Sequence, residues 1–216
     1  MIERRDPTMR SGFAVLAVAL SFYFCMTAAA QERMPPIPAE KQTEAQKKAT
    51  AEFTAVRPGS VNGPWAVLLR SPEVVNRARA LSDYLRFNSV LSPRLSEFVI
   101  LITAREWAQQ YEWNAHHPLA VKGGLNPEIA KAIAEGRRPQ HMAEDEEAAY
   151  DFCMELHNNH SVSDATYARA LSKFGEQGIV DMVSLHGYYT MIAMVLNTAR
   201  TPLPPGATSG LARLPR

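Results

Sequence analysis

The segment REWAQQYEWNAHHPLAVKGGL, Arg105 to Leu125, gathers two tryptophans, a tyrosine, two glutamates and two adjacent histidines. Glu112 and His116 stand four residues apart, so on a helix they share a face. A carboxylate beside an imidazole fixes the ring's orientation and raises its basicity, which suits a proton-transferring histidine. Charge pairs at this spacing are also common helix decoration, and spacing alone leaves both readings open.

The elements that must position these residues read as helices. Ser71-Pro72-Glu73, Ser92-Pro93 and Asn126-Pro127-Glu128 each put a capping residue directly before a proline, the pattern of a helix start. Leu95, Phe98, Val99 and Ile102 follow at i, i+3, i+4 and i+7. This predicts one helix from Ser92 to about Gln109 and the next from about Tyr111 to Gly123. Further helices fit 39–56, 142–158, 163–174 and 177–199, and no alternating strand pattern of useful length occurs. The expected fold is all-α, a helical bundle of about seven helices. The last helix, GIVDMVSLHGYYTMIAMVLNTAR, is apolar nearly all round and must be buried on several sides, a subunit interface included. Its Met182, Met191 and Met194 read as core packing.

The start of the chain reads as a secretory signal peptide over 1–30. Arg4, Arg5 and Arg10 precede an uncharged run from Phe13 to Met26, and Ala28-Ala29-Ala30 supplies a small-residue cleavage site. An uncleaved anchor is the competing reading, because the apolar run is just long enough to span a bilayer. Cleavage implies a periplasmic or secreted protein with no membrane partner. It also removes three arginines, Glu3 and Asp6 from the 23 basic and 22 acidic residues, leaving the two signs balanced. A neutral chain has no electrostatic reason to seek nucleic acid. Of the two cysteines, Cys25 lies in the leader and only Cys153 survives, so no intramolecular disulfide or dithiol site can form. Residues 31–60 read as a linker and peripheral helix, 61–205 as the main helical domain and 206–216 as a flexible tail.

Several chemistries are excluded by missing motifs. There is no H-E-x-x-H, no E-x-x-H, no G-x-S-x-G, no phosphate-cradling glycine loop and no dinucleotide fingerprint. His157 and His160 sit in a polar HNNHS segment and read as solvated, and His186 as a hydrogen-bonded core histidine.

SPRLSEFVILITAREWAQQYEWNAHHPLAVKGGLNPEIAKAI, with the tail VSLHGYYTMIAMVLNTARTPLP, resembles the carboxymuconolactone decarboxylase family of the alkylhydroperoxidase D-like superfamily. The likeness covers most of 71–205. In the alkylhydroperoxidase branch the motif is a Glu, then C-x-x-C, then a His four residues on. Matching it here puts the Glu on Glu97, the two cysteines on Gln109 and Glu112, and the His on His116. Both thiols are absent, and cysteine-based peroxide reduction needs a thiolate and a resolving partner. The resemblance therefore implies the decarboxylase branch: a cofactor-free carboxy-lyase without a metal, acting on a small-molecule lactone or related carboxylated ring. His116, Glu112 and Glu97 are its catalytic candidates, with His116 as acid and Glu112 orienting and charging it. Glu97 can also form an ordinary i, i+3 pair with Arg94. Trp107, Tyr111, Trp113 and His117 are candidates to wall the pocket and Arg105 to dock a substrate carboxylate. Which of His116 and His117 faces the pocket stays open. Family members form homo-oligomers, trimers or hexamers. The rival expectations are a periplasmic ligand-binding or structural oligomer that has lost turnover, and metal binding by the same Glu and His.

Overall fold

The structure, a computed structural model, describes residues 31–208, 210 and 211; the expected leader and the last five residues lie outside them. Every regular element among the described residues is helical. A 3-10 turn at Ala39–Lys41 precedes α1 (Glu44–Val56), α2 (Pro64–Leu68), α3 (Pro72–Phe87), α4 (Pro93–Glu106), α5 (Gln110–Lys122), α6 (Pro127–Ala134), α7 (Glu144–Asn159) and α8 (Asp164–Ala199). The all-α expectation of about seven helices holds, with eight α-helices among the described residues. One of them, α2, was not expected: it is five residues long and too short to show a period.

All three proline-marked starts open helices. Ser92 accepts from the Leu95 amide and Asn126 from the Glu128 amide, while Ser71 forms no side-chain cap. Thr43 and Gln46 close a reciprocal capping box on α1, which begins later than residue 39 for that reason. Gly175 interrupts α8 at φ 66° and ψ 177°, a conformation open essentially to glycine alone, so the two expected helices meet there.

Helix α4 is the centre of the bundle. Every residue from Leu95 to Arg105 is buried, because α5, α6, α7 and α8 pack on its different sides. Phe98, Ile100, Leu101 and Ile102 are sealed from solvent and join Leu85, Met182, Leu185 and Leu196 in one core. Truncating such a leucine to alanine costs about 2–5 kcal/mol. Met182 lies in the core as expected, whereas Met194 is about half exposed.

The turn from α4 to α5 is pinned from three directions. Ala108 takes a left-handed φ of 48°, and the Gln109 amide reaches back to the Ala104 carbonyl. The Gln109 side chain accepts from the Tyr111 amide at 2.8 Å and donates to Asn197 of α8 at 2.8 Å. Asn197 in turn donates to the Trp107 carbonyl at 3.2 Å. After α8 the chain returns to α5, where Leu211 exchanges two hydrogen bonds with Gln110, so the tail is anchored at this point. Near the start of the described chain the Arg33 amide donates to the Ala199 carbonyl, laying the linker across the end of α8.

Candidate active site

A cavity of about 230 Å³ opens between α2, α3, α5 and α8. That is below the usual range for drug-sized ligands and suits a small ring compound. Glu112 and His116 line it, together with Tyr111, Trp65, Arg57, Arg86, Tyr188 and Tyr189.

His116 is buried, and its Nδ1 lies 2.6 Å from Glu97 Oε2 on α4. Arg86 of α3 donates to the other carboxylate oxygen of Glu97 at 3.1 Å. Burial works against a charge on Glu97, but His116 and Arg86 outweigh it and hold the carboxyl below its usual range. Burial also pushes the His116 pKa down; Glu97 opposes this, and the Arg86 charge adds to it. The pair therefore rests as a carboxylate and a neutral imidazole. Glu97 accepts the Nδ1 proton, which assigns the tautomer and leaves a lone pair on Nε2. That nitrogen has no hydrogen-bond partner among the described residues, and the ring stands edge-on to Tyr189 with centroids 5.0 Å apart.

Glu112 differs from the expectation. It sits four residues before His116 as the spacing requires, yet both its carboxyl oxygens are buried without a hydrogen-bond partner. The partner of His116 is Glu97, from the neighbouring helix. Nor does Glu97 pair with Arg94, which reaches across to Asp145 and Glu146 of α7. Burial drives the Glu112 pKa well above the usual carboxylate value, with no cation to offset it. Burial thus favours the protonated form of Glu112, at the position where the alkylhydroperoxidase motif carries a cysteine.

The other candidates divide. Tyr111 lines the cavity, and a Cβ at Gly63, which itself has a φ of 55°, would strike its ring. Trp113 faces the core, stacked on His117 with centroids 5.6 Å apart, so neither lines the cavity; of the two histidines it is His116 that does. Trp107 caps α4 and meets His157 edge-on at 6.5 Å, again away from the cavity. Arg105 is buried and donates to the Ala134 carbonyl at 3.0 Å, so it braces α6 and is no part of the cavity wall. His186 is a core histidine bonded to Thr103 at 2.8 Å, its pKa lowered to about 4 by burial and by His157. His157, expected in solvent, is half-buried against that ring, while His160 is exposed. Cys153 is buried and its thiol is pushed up to about 12, which makes it inert.

Arg86, Arg57, Tyr188 and Tyr189 were not expected at the cavity. They come from α3, the end of α1 and α8, and no local pattern ties them to residues 97–116.

Compared with known proteins, the chain matches no family model and none of the curated proteins. Solved structures do match. The alkylhydroperoxidase AhpD core of an uncharacterized peroxidase-related protein from Ralstonia eutropha JMP134 superposes with a TM-score of 0.66 at 15% identity, over 81% of this chain and 93% of that one. An uncharacterized peroxidase-related protein from Silicibacter sp. TM1040 gives 0.67 at 16% identity, over 83% and 96%. A protein of unknown function from Agrobacterium tumefaciens, described in connection with antioxidant defence protein AhpD, gives 0.56 at 16% identity, over 63% and 94%. The chain has the alkylhydroperoxidase D-like fold. At these identities the likeness concerns the fold, and the chemistry must be argued from the residues in the cavity.

Proposed function

We propose that this alkylhydroperoxidase D-like protein is a cofactor-free enzyme that moves protons on a small lactone or related carboxylated ring, with decarboxylation of a carboxymuconolactone-type substrate as the reaction. The observation that carries this reading is the pairing, in one small cavity, of a protonated, unpartnered Glu112 with a neutral His116 backed by Glu97 and Arg86. Two titratable groups whose surroundings push them to opposite roles make an acid and a base. The roles differ from the sequence expectation: Glu112 is the acid and His116 the relay.

As the C–C bond to the substrate carboxylate breaks, carbon dioxide leaves and the bonding electrons pass into the conjugated carbonyl. Glu112 gives its proton to the resulting dienolate at carbon. His116 takes a proton from solvent at Nε2, becoming an imidazolium paired with Glu97, and returns it to the Glu112 carboxylate one helical turn away. The low polarity that keeps Glu112 protonated also strengthens its hydrogen bond to the developing anion. Dithiol peroxide reduction has no support in these residues, since the positions of both motif thiols hold Gln109 and Glu112. The leader-like segment and the exposed apolar faces of α3 and α8 extend the proposal to an exported homo-oligomer.

The test is ultraviolet absorbance loss and carbon dioxide release from 4-carboxymuconolactone. Wild-type protein turns it over, and His116→Ala and Glu112→Gln each lose about 100- to 10,000-fold in kcat/KM while remaining folded. No turnover by wild-type protein, or full activity in a folded Glu112→Gln variant, rejects the proposed reaction and favours a ligand-binding role.

A further inference from the structure

Two arginines at the cavity wall keep donors that no carboxylate takes up. Arg57, at the end of α1, donates from Nε and one terminal nitrogen to Asp83 at 3.0 and 2.5 Å and to Ser82 at 3.2 Å. Asp83 is shared, because Arg79 also donates to it at 2.8 Å. The guanidinium of Arg57 lies over the Trp65 ring, 4.8 Å from its centroid, which holds it at the cavity wall. Its second terminal nitrogen has no protein partner among the described residues. Arg86 uses one nitrogen on Glu97, and its buried Nε is unpartnered. Of these arginines Arg57 and Arg86 line the cavity, each with nitrogen donors left over after its carboxylate partner. Beside them Tyr188 lines the same cavity, its hydroxyl buried next to Ser82 but without a bond of proper geometry to it.

An unfilled arginine fork, a second arginine with spare donors and an unused hydroxyl in one small cavity are complementary to a planar anion. We propose that Arg57, assisted by Arg86 and the Tyr188 hydroxyl, forms a subsite for a carboxylate of a small ring compound, distinct from the Glu112 and His116 pair that would act on the reacting carbon. The carboxylate bound here is one the ligand keeps. A carboxylate to be lost as carbon dioxide gains nothing from a cation that stabilises its charged ground state. The ligand class is therefore a ring bearing an anionic arm in addition to any group removed, and Arg57 selects for that arm. The use of the subsite in catalysis rests on the reading above, but the binding it predicts does not.

Isothermal titration with benzoate and its neutral isostere benzamide separates the two. Benzoate carries a carboxylate and offers no reaction, so binding is read without turnover. The expected result is that benzoate binds and benzamide binds at least tenfold more weakly. Arg57→Gln should lose about tenfold or more of benzoate affinity with benzamide unchanged, and Arg57→Lys should recover part of it. Melting curves of both variants confirm folding. Equal binding of benzoate and benzamide, no benzoate binding at millimolar concentration, or unchanged affinity in folded Arg57→Gln and Arg57→Lys overturns the subsite. Arg57-dependent binding of inorganic phosphate in place of benzoate overturns the carboxylate assignment. Benzoate binding that follows Arg57 without any lactone turnover leaves the subsite standing and removes the reaction.

Discussion

At the scale of single residues, the site is governed by how burial divides three ionisable groups. Glu97 is held toward its charged form because His116 and Arg86 both donate to it; Glu112, more deeply enclosed, has no donor, and burial favours its protonated form. The consequence for stability has a definite sign. A carboxyl whose native pKa is raised binds its proton more tightly in the folded chain than in the unfolded one. Its cost is absent at pH values below the unfolded value and grows as pH rises through the window between the unfolded and the raised native pKa. Glu112→Gln should therefore be more stable than the wild type at neutral and alkaline pH and indistinguishable from it in acid. Thermal melts of both proteins across pH measure this, and a stability gap that shrinks as pH rises would refute it. Glu112 was legible as a site residue in the sequence, and its partner was not. Four-residue spacing shows that two side chains share a helical face, but a facing helix decides which of them finds a hydrogen bond. Glu97 was legible only through its match to a family motif, because its own spacing points equally to Arg94.

At the scale of elements, helix starts were the most readable feature. A capping residue followed by proline fixes a start by backbone chemistry alone, and α3, α4 and α6 all begin where that pattern occurs. The break at Gly175 was readable for the same reason: no other residue takes its backbone conformation cheaply. Short α2 was unreadable, since five residues carry no period. What positions the site is the α4–α5 hairpin. Both Glu97 and His116 lie on it, and Gln109, Asn197 and the Trp107 carbonyl lock its turn to α8. The arginines were invisible beforehand because they arrive from α1 and α3, which reach the cavity only once the bundle has closed. Arg105, expected to dock a substrate carboxylate, is turned by the helical rotation against α6 instead.

At the scale of the whole molecule, the described chain buries one continuous core yet leaves two apolar stripes on its surface. Val74, Leu81, Tyr84 and Phe87 are exposed along α3, and Val180, Val183 and Met194 along α8. Tyr84 and Asp181 join the two helices at 3.2 Å, so the stripes are neighbours. Adjacent exposed apolar surface of this kind marks an interaction face. It gives the proposed homo-oligomer a physical basis, and the mass in light scattering should exceed that of a monomer. Val183→Glu with Met194→Glu should shift the distribution toward monomer. A wild-type protein that is monomeric at micromolar concentration would contradict the proposed assembly. By composition α8 is also apolar and long enough to cross a bilayer, but it is broken at Gly175 and packs against α2, α3, α4 and α7. Those contacts are what its apolar residues are for.

The proposed chemistry requires Glu112 to be a carboxylic acid at neutral pH, held beside a neutral imidazole. The most direct measurement is the infrared difference spectrum between wild-type protein and Glu112→Gln, recorded as pH is raised from acid through neutral. The expected result is a protonated-carboxyl band that persists at pH 7 in the wild type and is missing from the variant. A band that disappears in the ordinary carboxylate range, leaving Glu112 ionised at neutral pH, would contradict it.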